Sequence, residues 1–240
     1  FILCVLHFIW IPKPFDLTSP LGLYILGFCG LGILSYLYTL TSGFARASRK
    51  QNPLKGTRPY KVINQEKTGD IISFELTPIK KGIKHQAGQF AFISFDHDKL
   101  KESHPFTISK APSKDGSLRF SIKALGDYTK DLPKYLEQGM TANVTRGHGN
   151  FGKNLGKTNE IWIAAGIGIT PFIAMAQALA QQSVKTEKET HLFYCVQNKA
   201  QAVHRVELEQ LAAQCPRLNI HLCDSSQGKR ITLNMIKENI

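Results

Sequence analysis

Acidic residues are scarce in this chain of 240 residues: 18 Asp and Glu stand against 30 Lys and Arg, a formal net charge of +12. Cysteine is scarce too. Cys4, Cys29, Cys195, Cys215 and Cys223 form an odd set in which no pair has CxxC spacing. That excludes a disulfide scaffold and a structural zinc knuckle, and it fits reduced cytosolic thiols. No internal repeat or low-complexity tract occurs, and 11 Pro and 19 Gly leave no room for a collagen-like or linker-like class. With 42% hydrophobic and 20% charged residues, the chain can bury a core and is not a disordered polymer.

Charge is missing altogether from Leu17 to Ala45. Within that stretch, Leu21 to Thr41 is long enough to cross a bilayer, which takes ~20 apolar residues. Tyr24, Tyr36 and Tyr38 lie toward its ends, as interfacial aromatics do, although a buried core helix is the competing reading. Arg46, Arg49, Lys50, Lys55, Arg58 and Lys61 follow without an intervening acid. The positive-inside rule makes that flank cytoplasmic. Much of the excess charge is thereby placed beside a membrane, on a segment without an aromatic stacking platform, so nucleic acid is not an expected partner. Phe1–Ile11 is apolar but too short to span, and the chain starts without Met. It reads as the tail of a longer helix in a multi-span protein, and residues 1–45 as the end of a membrane domain. His7 lies in it, either an axial haem ligand or an interfacial histidine.

Residues 46–58 form a basic linker, and the texture then changes. Asp70–Thr77, Gln89–Phe95, Ser117–Ala124 and Thr141–Arg146 read as short strands, with a helix over Thr129–Gln138. This predicts a small antiparallel barrel over 59–154. From 158 to 240 strands and helices alternate: strands at Ile161–Ala165, Thr190–Val196 and Leu218–Leu222, helices at Pro171–Gln182, Ala200–Gln214 and Thr232–Asn239. That is a parallel α/β pattern, with a ligand crevice expected outside the carboxyl ends of its strands.

Three clusters carry candidate chemistry. His104-Pro105-Phe106-Thr107-Ile108-Ser109 offers a fixed backbone at Pro105, an aromatic face and hydroxyls, which suit a flat heteroaromatic ring with polar edges. Gly126-Asp127-Tyr128-Thr129 reads as a helix start with Thr129 as its cap and free N–H groups for a pyrophosphate; plain capping is the alternative. Ala165-Gly166-Ile167-Gly168-Ile169-Thr170-Pro171 follows a strand and opens a helix. Gly166 and Gly168 there admit a diphosphate, though the run is not a full GxGxxG. His85, His97, His148, His191, His204 and His221 show no metal-ligand spacing and read as surface or turn residues.

In this order the three clusters resemble the ferredoxin reductase-type FAD/NAD(P)H oxidoreductases, and more narrowly their membrane-bound branch, the ferric reductase and NADPH oxidase superfamily. The resemblance implies an FAD-binding barrel and a C-terminally incomplete NAD(P)-binding domain, both cytoplasmic, on a multi-pass cell membrane protein. It implies that Phe106 stacks near the isoalloxazine and that Thr107 bonds near its reactive nitrogen as the catalytic contact. His104, Pro105 and Ser109 complete that motif. Lys123, Gly126 and Thr129 would hold the FAD pyrophosphate, while Gly166, Gly168, Thr170 and Pro171 would receive the nicotinamide dinucleotide. His7 would ligate haem in the intact protein. Electrons would pass from NAD(P)H through FAD to ferric iron, oxygen or another acceptor. Gly147-His148-Gly149-Asn150-Phe151 departs from the family's Gly-Pro-aromatic-Gly turn by lacking the proline. A soluble-type reductase feeding a partner oxygenase, and a non-enzymatic flavin-binding membrane subunit, are the alternative readings.

Overall fold

A computed structural model describes residues 19–20, 24, 27–38, 56–152, 159–182 and 188–240. The chain separates into two units, Phe1–Lys55 and Gly56–Ile240. In the first unit, residues 27–38 are helical. Tyr24, Phe28, Leu31, Leu34 and Tyr38 are all exposed there, with the Tyr24 and Phe28 rings stacked at 6.3 Å. Among the described residues no helix is long and apolar enough to cross a membrane. Part of the expected span, residues 21–23, 25–26 and 39–41, lies outside the described residues, as does His7.

The second unit begins with six antiparallel strands: β1 (Arg58–Thr68), β2 (Ile71–Pro78), β3 (Phe90–Phe95), β4 (His104–Thr107), β5 (Leu118–Lys123) and β6 (Thr141–Val144). Their order is β4-β3-β6-β1-β2-β5. The two edge strands meet just past β4, where the Ser109 N–H donates to the Arg119 carbonyl at 2.8 Å. This joins the sheet into a barrel and leaves little free edge. Inward residues alternate along the strands, and Phe74 packs against Phe95 and Phe120 with ring centroids 5.7 Å apart in each pair. Burial of such side chains, at roughly 25 cal/mol per Å² of apolar surface, is what drives the barrel to form.

The patterning predicts no strand before Asp70, yet β1 is the longest in the sheet. Its apolar alternation ends at Tyr60 and Val62, and the rest is solvent-facing Asn64–Lys67, which carries no signal of burial. A register shift between Val62 and Asn64 breaks the alternation further. β4 is also unpredicted, because its four residues include Pro105, which sits exposed on an edge strand. The first helix of this unit, α1, covers Asp127–Tyr135, not Thr129–Gln138. Gly126 is its cap residue, and Thr129 lies inside the first turn.

The α/β half holds a parallel sheet, order β7-β8-β9, of β7 (Glu160–Ala165), β8 (Thr190–Val196) and β9 (Leu218–Asp224). A 3₁₀ turn over Gly166–Ile169 leads from β7 into α2 (Thr170–Ala180); α3 (Arg205–Gln214) and α4 (Leu233–Glu238) follow β8 and β9. α2 is buried on most sides because Phe172–Ala176 and Leu179 fill the space between the sheet and the barrel-side loop at Ala87.

The halves are stitched by polar side chains. The Ala111 N–H donates to the Gln177 side chain at 2.7 Å, and Arg119 Nη2 lies 2.9 Å from Glu207 Oε1. His204 Nε2 lies 2.8 Å from Ser121 Oγ, and its Nδ1 lies 3.2 Å from Glu207 Oε2. His204 is therefore not a surface residue but a turn residue, in the turn that opens α3. It occupies the left-handed region at φ 59°, held there because both ring nitrogens are engaged. His191 is also buried, its ring stacked on His221 at 5.4 Å, since His221 follows two residues, and so on the same face, after Asn219, the partner of His191 on the neighbouring strand.

Candidate functional site

A cavity of about 1230 Å³ opens between the β1–β2 turn, the end of β5 and the carboxyl ends of β7, β8 and β9. Parallel strands place their outward loops on one side, and that concentrates backbone N–H groups and side chains at this edge. Gly166 lines it with φ +50°, and a side chain added at Gly166 or Gly168 would meet nothing within 4 Å. Gly166 thus presents bare backbone to the cavity, which suits close approach of a diphosphate, and Gly168, two residues on, is equally open. Lys123, Lys199, Arg205, Lys229 and Arg230 supply positive charge around it. Asp224 shapes the far wall by accepting from the Lys199 N–H at 2.9 Å and the Ser226 N–H at 3.0 Å. The Ser226 bonds, chiefly from its hydroxyl, hold the Asp224 carboxyl below its ordinary range despite opposing burial.

Cys195 and Cys223 also face this cavity, at paired positions on β8 and β9. Burial, with Cys195 as the adjoining group, pushes the Cys223 thiol up to about 11. It is therefore protonated at neutral pH and packs against the Met235 sulfur at 3.9 Å. Among the described residues no cluster of His, Cys, Asp and Glu is arranged to hold a metal ion.

A second feature lies on β4. Strand alternation puts His104 and Phe106 on one face and Pro105 and Thr107 on the other. Tyr128, from the first turn of α1, closes on the first pair, with ring centroids 3.8 Å from His104 and 6.3 Å from Phe106. Tyr128 is anchored by donating to the Leu100 carbonyl at 3.1 Å, and burial, with the Glu102 charge adding, pushes its phenol up. His104 Nε2 is buried with no hydrogen-bond partner, although the Glu102 carboxylate is 3.4 Å away. A buried polar atom without a partner, in a ring beside the aromatic rings of Phe106 and Tyr128, fits a flat ligand with a polar edge. Nothing in the sequence around Tyr128 marks it as a ligand contact. Its only signal there is its place between Asp127 and Thr129 at the helix start.

The expected site residues thus fall into separate groups. Lys123 and Gly166 share the cavity, where Lys123 Nζ lies 3.3 Å from Asp70. His104 and Phe106 share the aromatic cluster. The Thr107 hydroxyl is half-buried and has no hydrogen-bond partner among the described residues, so it is available. Ser109 is fully buried, and its hydroxyl already donates to the Arg119 carbonyl at 3.0 Å. Its geometry is that of a barrel-closing residue. Thr129 Oγ1 accepts from the Leu125 and Gly126 N–H groups at 3.0 and 2.9 Å. Those two donors are consumed by the helix cap and are not free for a pyrophosphate. Gly168 and Pro171 flank the cavity floor in sequence, while the buried Thr170 hydroxyl donates to the Ile167 carbonyl at 3.2 Å and fixes the turn.

Residues 56–199, more than half of the chain, match a family described as an FAD-binding domain, and residues 162–237 match an oxidoreductase NAD-binding domain. A flavohemoprotein of Pseudomonas putida is 29% identical over 174 residues, covering 70% of this chain and 43% of its own length. NADPH oxidase 1 of Mus musculus is 27% identical over 132 residues, covering 50% of this chain and 22% of its own length. The chain therefore spans less than half the length of these relatives. The flavohem-like FAD/NAD-binding domain of nitric oxide dioxygenase from Vibrio cholerae shares the fold, with a TM-score of 0.62 at 22% identity, over 73% of this chain and 80% of that one.

Proposed function

The chain belongs to the FAD-binding domain family, joined to an oxidoreductase NAD-binding domain, and from that premise we propose that it is the electron-entry module of a membrane-bound flavin reductase, similar to ferric reductases and NADPH oxidases. It is an NAD(P)H-dependent FAD oxidoreductase. Bound FAD would accept a hydride from NAD(P)H and release electrons singly to ferric iron, oxygen or another acceptor.

The observation that carries this reading is the basic, glycine-floored cavity at the carboxyl ends of three parallel strands. The chain's own residues position and do not act as acids or bases. Lys123, Lys199, Lys229 and Arg230 offset phosphate charge around the cavity, and Gly166 on its wall, with the open Gly168 just beyond, admits the diphosphate to the backbone. His104, Phe106 and Tyr128 offer stacking area for the flavin, with His104 Nε2 free for its polar edge and Thr107 contributing a hydroxyl.

The membrane part of the reading is supported by the charge-free run before Ala45 and by the exposed Tyr24, Phe28, Leu31 and Leu34 on the described helix, apolar surface that a lipid phase would cover. The haem part rests on the resemblance at His7 alone. Three measurements decide. FAD-reconstituted protein mixed anaerobically with NADH, and separately with NADPH, should lose flavin absorbance rapidly with at least one donor. A bound flavin that stays oxidised with both would overturn the reductase reading. Phase partitioning into detergent tests the membrane, and retention in the aqueous phase would favour a soluble-type module feeding a partner oxygenase. A haemochrome spectrum of the intact protein tests His7.

A further inference from the structure

The barrel carries a second basic cavity, of about 840 Å³, that shares no lining residue with the nucleotide cavity. It lies where the start of β1, the β2–β3 loop and the segment after β6 converge. Arg58, Lys81, Lys84 and Arg146 line it, and no Asp or Glu does. All four are exposed, and none forms an ion pair with a described residue. Elsewhere on this unit, lysines and arginines do find acids, as Lys123 does at Asp70 and Arg119 at Glu207. Four like charges around one concavity repel one another, and a multivalent anion relieves that repulsion.

The wall behind the charges is built and not merely a loose surface. Gln89 accepts from the Gln86 N–H at 2.8 Å and donates to the Gly149 carbonyl at 2.8 Å, tying the β2–β3 loop to the segment after β6. Gly147 lies so close to Gln89 and His85 that a β-carbon there would collide with the Gln89 side chain. His85 Nε2 is fixed 3.1 Å from the Lys110 carbonyl, and burial holds its pKa below the ordinary value. The Gly147-containing turn, which departs from the family's proline-bearing form, thus serves as one side of this cavity.

We propose that Arg58, Lys81, Lys84 and Arg146 form a second anion site that binds a phosphate-bearing group, distinct from the FAD and nucleotide sites. Gly56 and Arg58 follow directly in sequence on Arg46, Arg49, Lys50 and Lys55, so the site continues the basic stretch after the apolar run. An anionic lipid headgroup and a free phosphate compound share the required chemistry. The site does not depend on the reductase reading.

The test uses the full chain in neutral detergent with saturating FAD. Calorimetric titrations are run with inorganic pyrophosphate and with short-chain phosphatidic acid, and short-chain phosphatidylcholine serves as the neutral control. The variant combines Arg58→Gln, Lys84→Gln and Arg146→Gln; a matched variant combines Lys99→Gln, Lys114→Gln and Lys237→Gln, the same charge change outside the cavity. Saturable binding of at least one anion, weakened at least tenfold by the first variant and little by the second, is the expected result. Tighter binding of phosphatidic acid than of pyrophosphate assigns the site to a membrane headgroup, and the reverse order to a free phosphate. Equal loss in both variants, or no binding to wild type, overturns the proposal. Flavin reduction by NAD(P)H is measured in parallel and should be unchanged by either variant; its failure in wild type would concern the reductase reading alone.

Discussion

Arg119 and Glu207, 88 residues apart in sequence, meet at 2.9 Å across the junction of the barrel and the α/β half. Arg119 also donates from Nη2 to the Ser109 carbonyl at 2.7 Å. One guanidinium therefore joins the barrel's edges and reaches the neighbouring half.

This pair has a pH signature. Burial raises the Glu207 carboxyl, but bonds from His204, Arg119 and Gln177 and the Arg119 charge outweigh it and hold the group at about 2, down from its ordinary 4.5. The folded state thus binds this proton less readily than the unfolded chain. The carboxylate's contribution is complete above pH 4.5 and is lost as pH falls toward about 2. Glu207→Gln should cost about 1–3 kcal/mol near neutrality, since it leaves a mostly buried guanidinium short of its charge partner. The Tm gap between wild type and variant should narrow across that acid window. A gap that stays constant with pH would show that the charge is not what matters.

The aromatic cluster makes a second expectation. Phe106→Ala and His104→Ala each weaken FAD binding by about 1–2 kcal/mol, roughly five- to thirty-fold. Tyr128→Phe keeps the ring and removes only the bond to the Leu100 carbonyl, so it should lower stability by about 1 kcal/mol and leave FAD affinity near wild type. Titration of apoprotein with FAD, followed by flavin fluorescence, separates the two effects.

The glycine floor can be probed by single methyl groups. Gly166→Ala places a side chain at φ +50°, at a cost of roughly 1–2 kcal/mol, and also projects it into the cavity. Gly168→Ala has open space and no left-handed backbone, so stability should hold. Both should raise KM for the nicotinamide nucleotide without changing FAD content. An unchanged KM in Gly168→Ala would place the nucleotide elsewhere.

Thiol labelling reads the same cavity chemically. Cys195 is partly exposed, whereas Cys223 is buried and held protonated by a pKa of about 11. A maleimide should modify Cys195 much faster than Cys223, and bound NAD(P)H should slow the Cys195 reaction. Peptide mapping by mass spectrometry gives the two rates separately, and equal rates would contradict the described packing.

Much of the α/β half is legible from sequence because its strands are short apolar runs set between helical segments; β8 matches the expected Thr190–Val196 from end to end. The outer part of β1 and the short β4 are not legible, because edge and solvent-facing strands need no alternation. At the site, glycines at a strand's carboxyl end speak for themselves. Tyr128 does not, since its closeness to His104 depends on where α1 docks on the barrel. Ser109 and Thr129 carry the right hydroxyls for a ligand, but each is already committed to a backbone group. Sequence shows which atoms can bond and not which are already spent. The roles of His204 and Glu207 are illegible for a related reason: their partners, Ser121 and Arg119, belong to a different fold layer.

The stitching of Ala111 to Gln177, Ser121 to His204 and Arg119 to Glu207 has a consequence for protein recombination. Barrel and nucleotide half look like interchangeable modules, yet each carries half of every clasp. A hybrid built by cutting between β6 and β7 inherits Arg119 without its acid, or Glu207 without its base. Viable grafts onto this barrel will be those whose donor half brings its own equivalents of Gln177, His204 and Glu207.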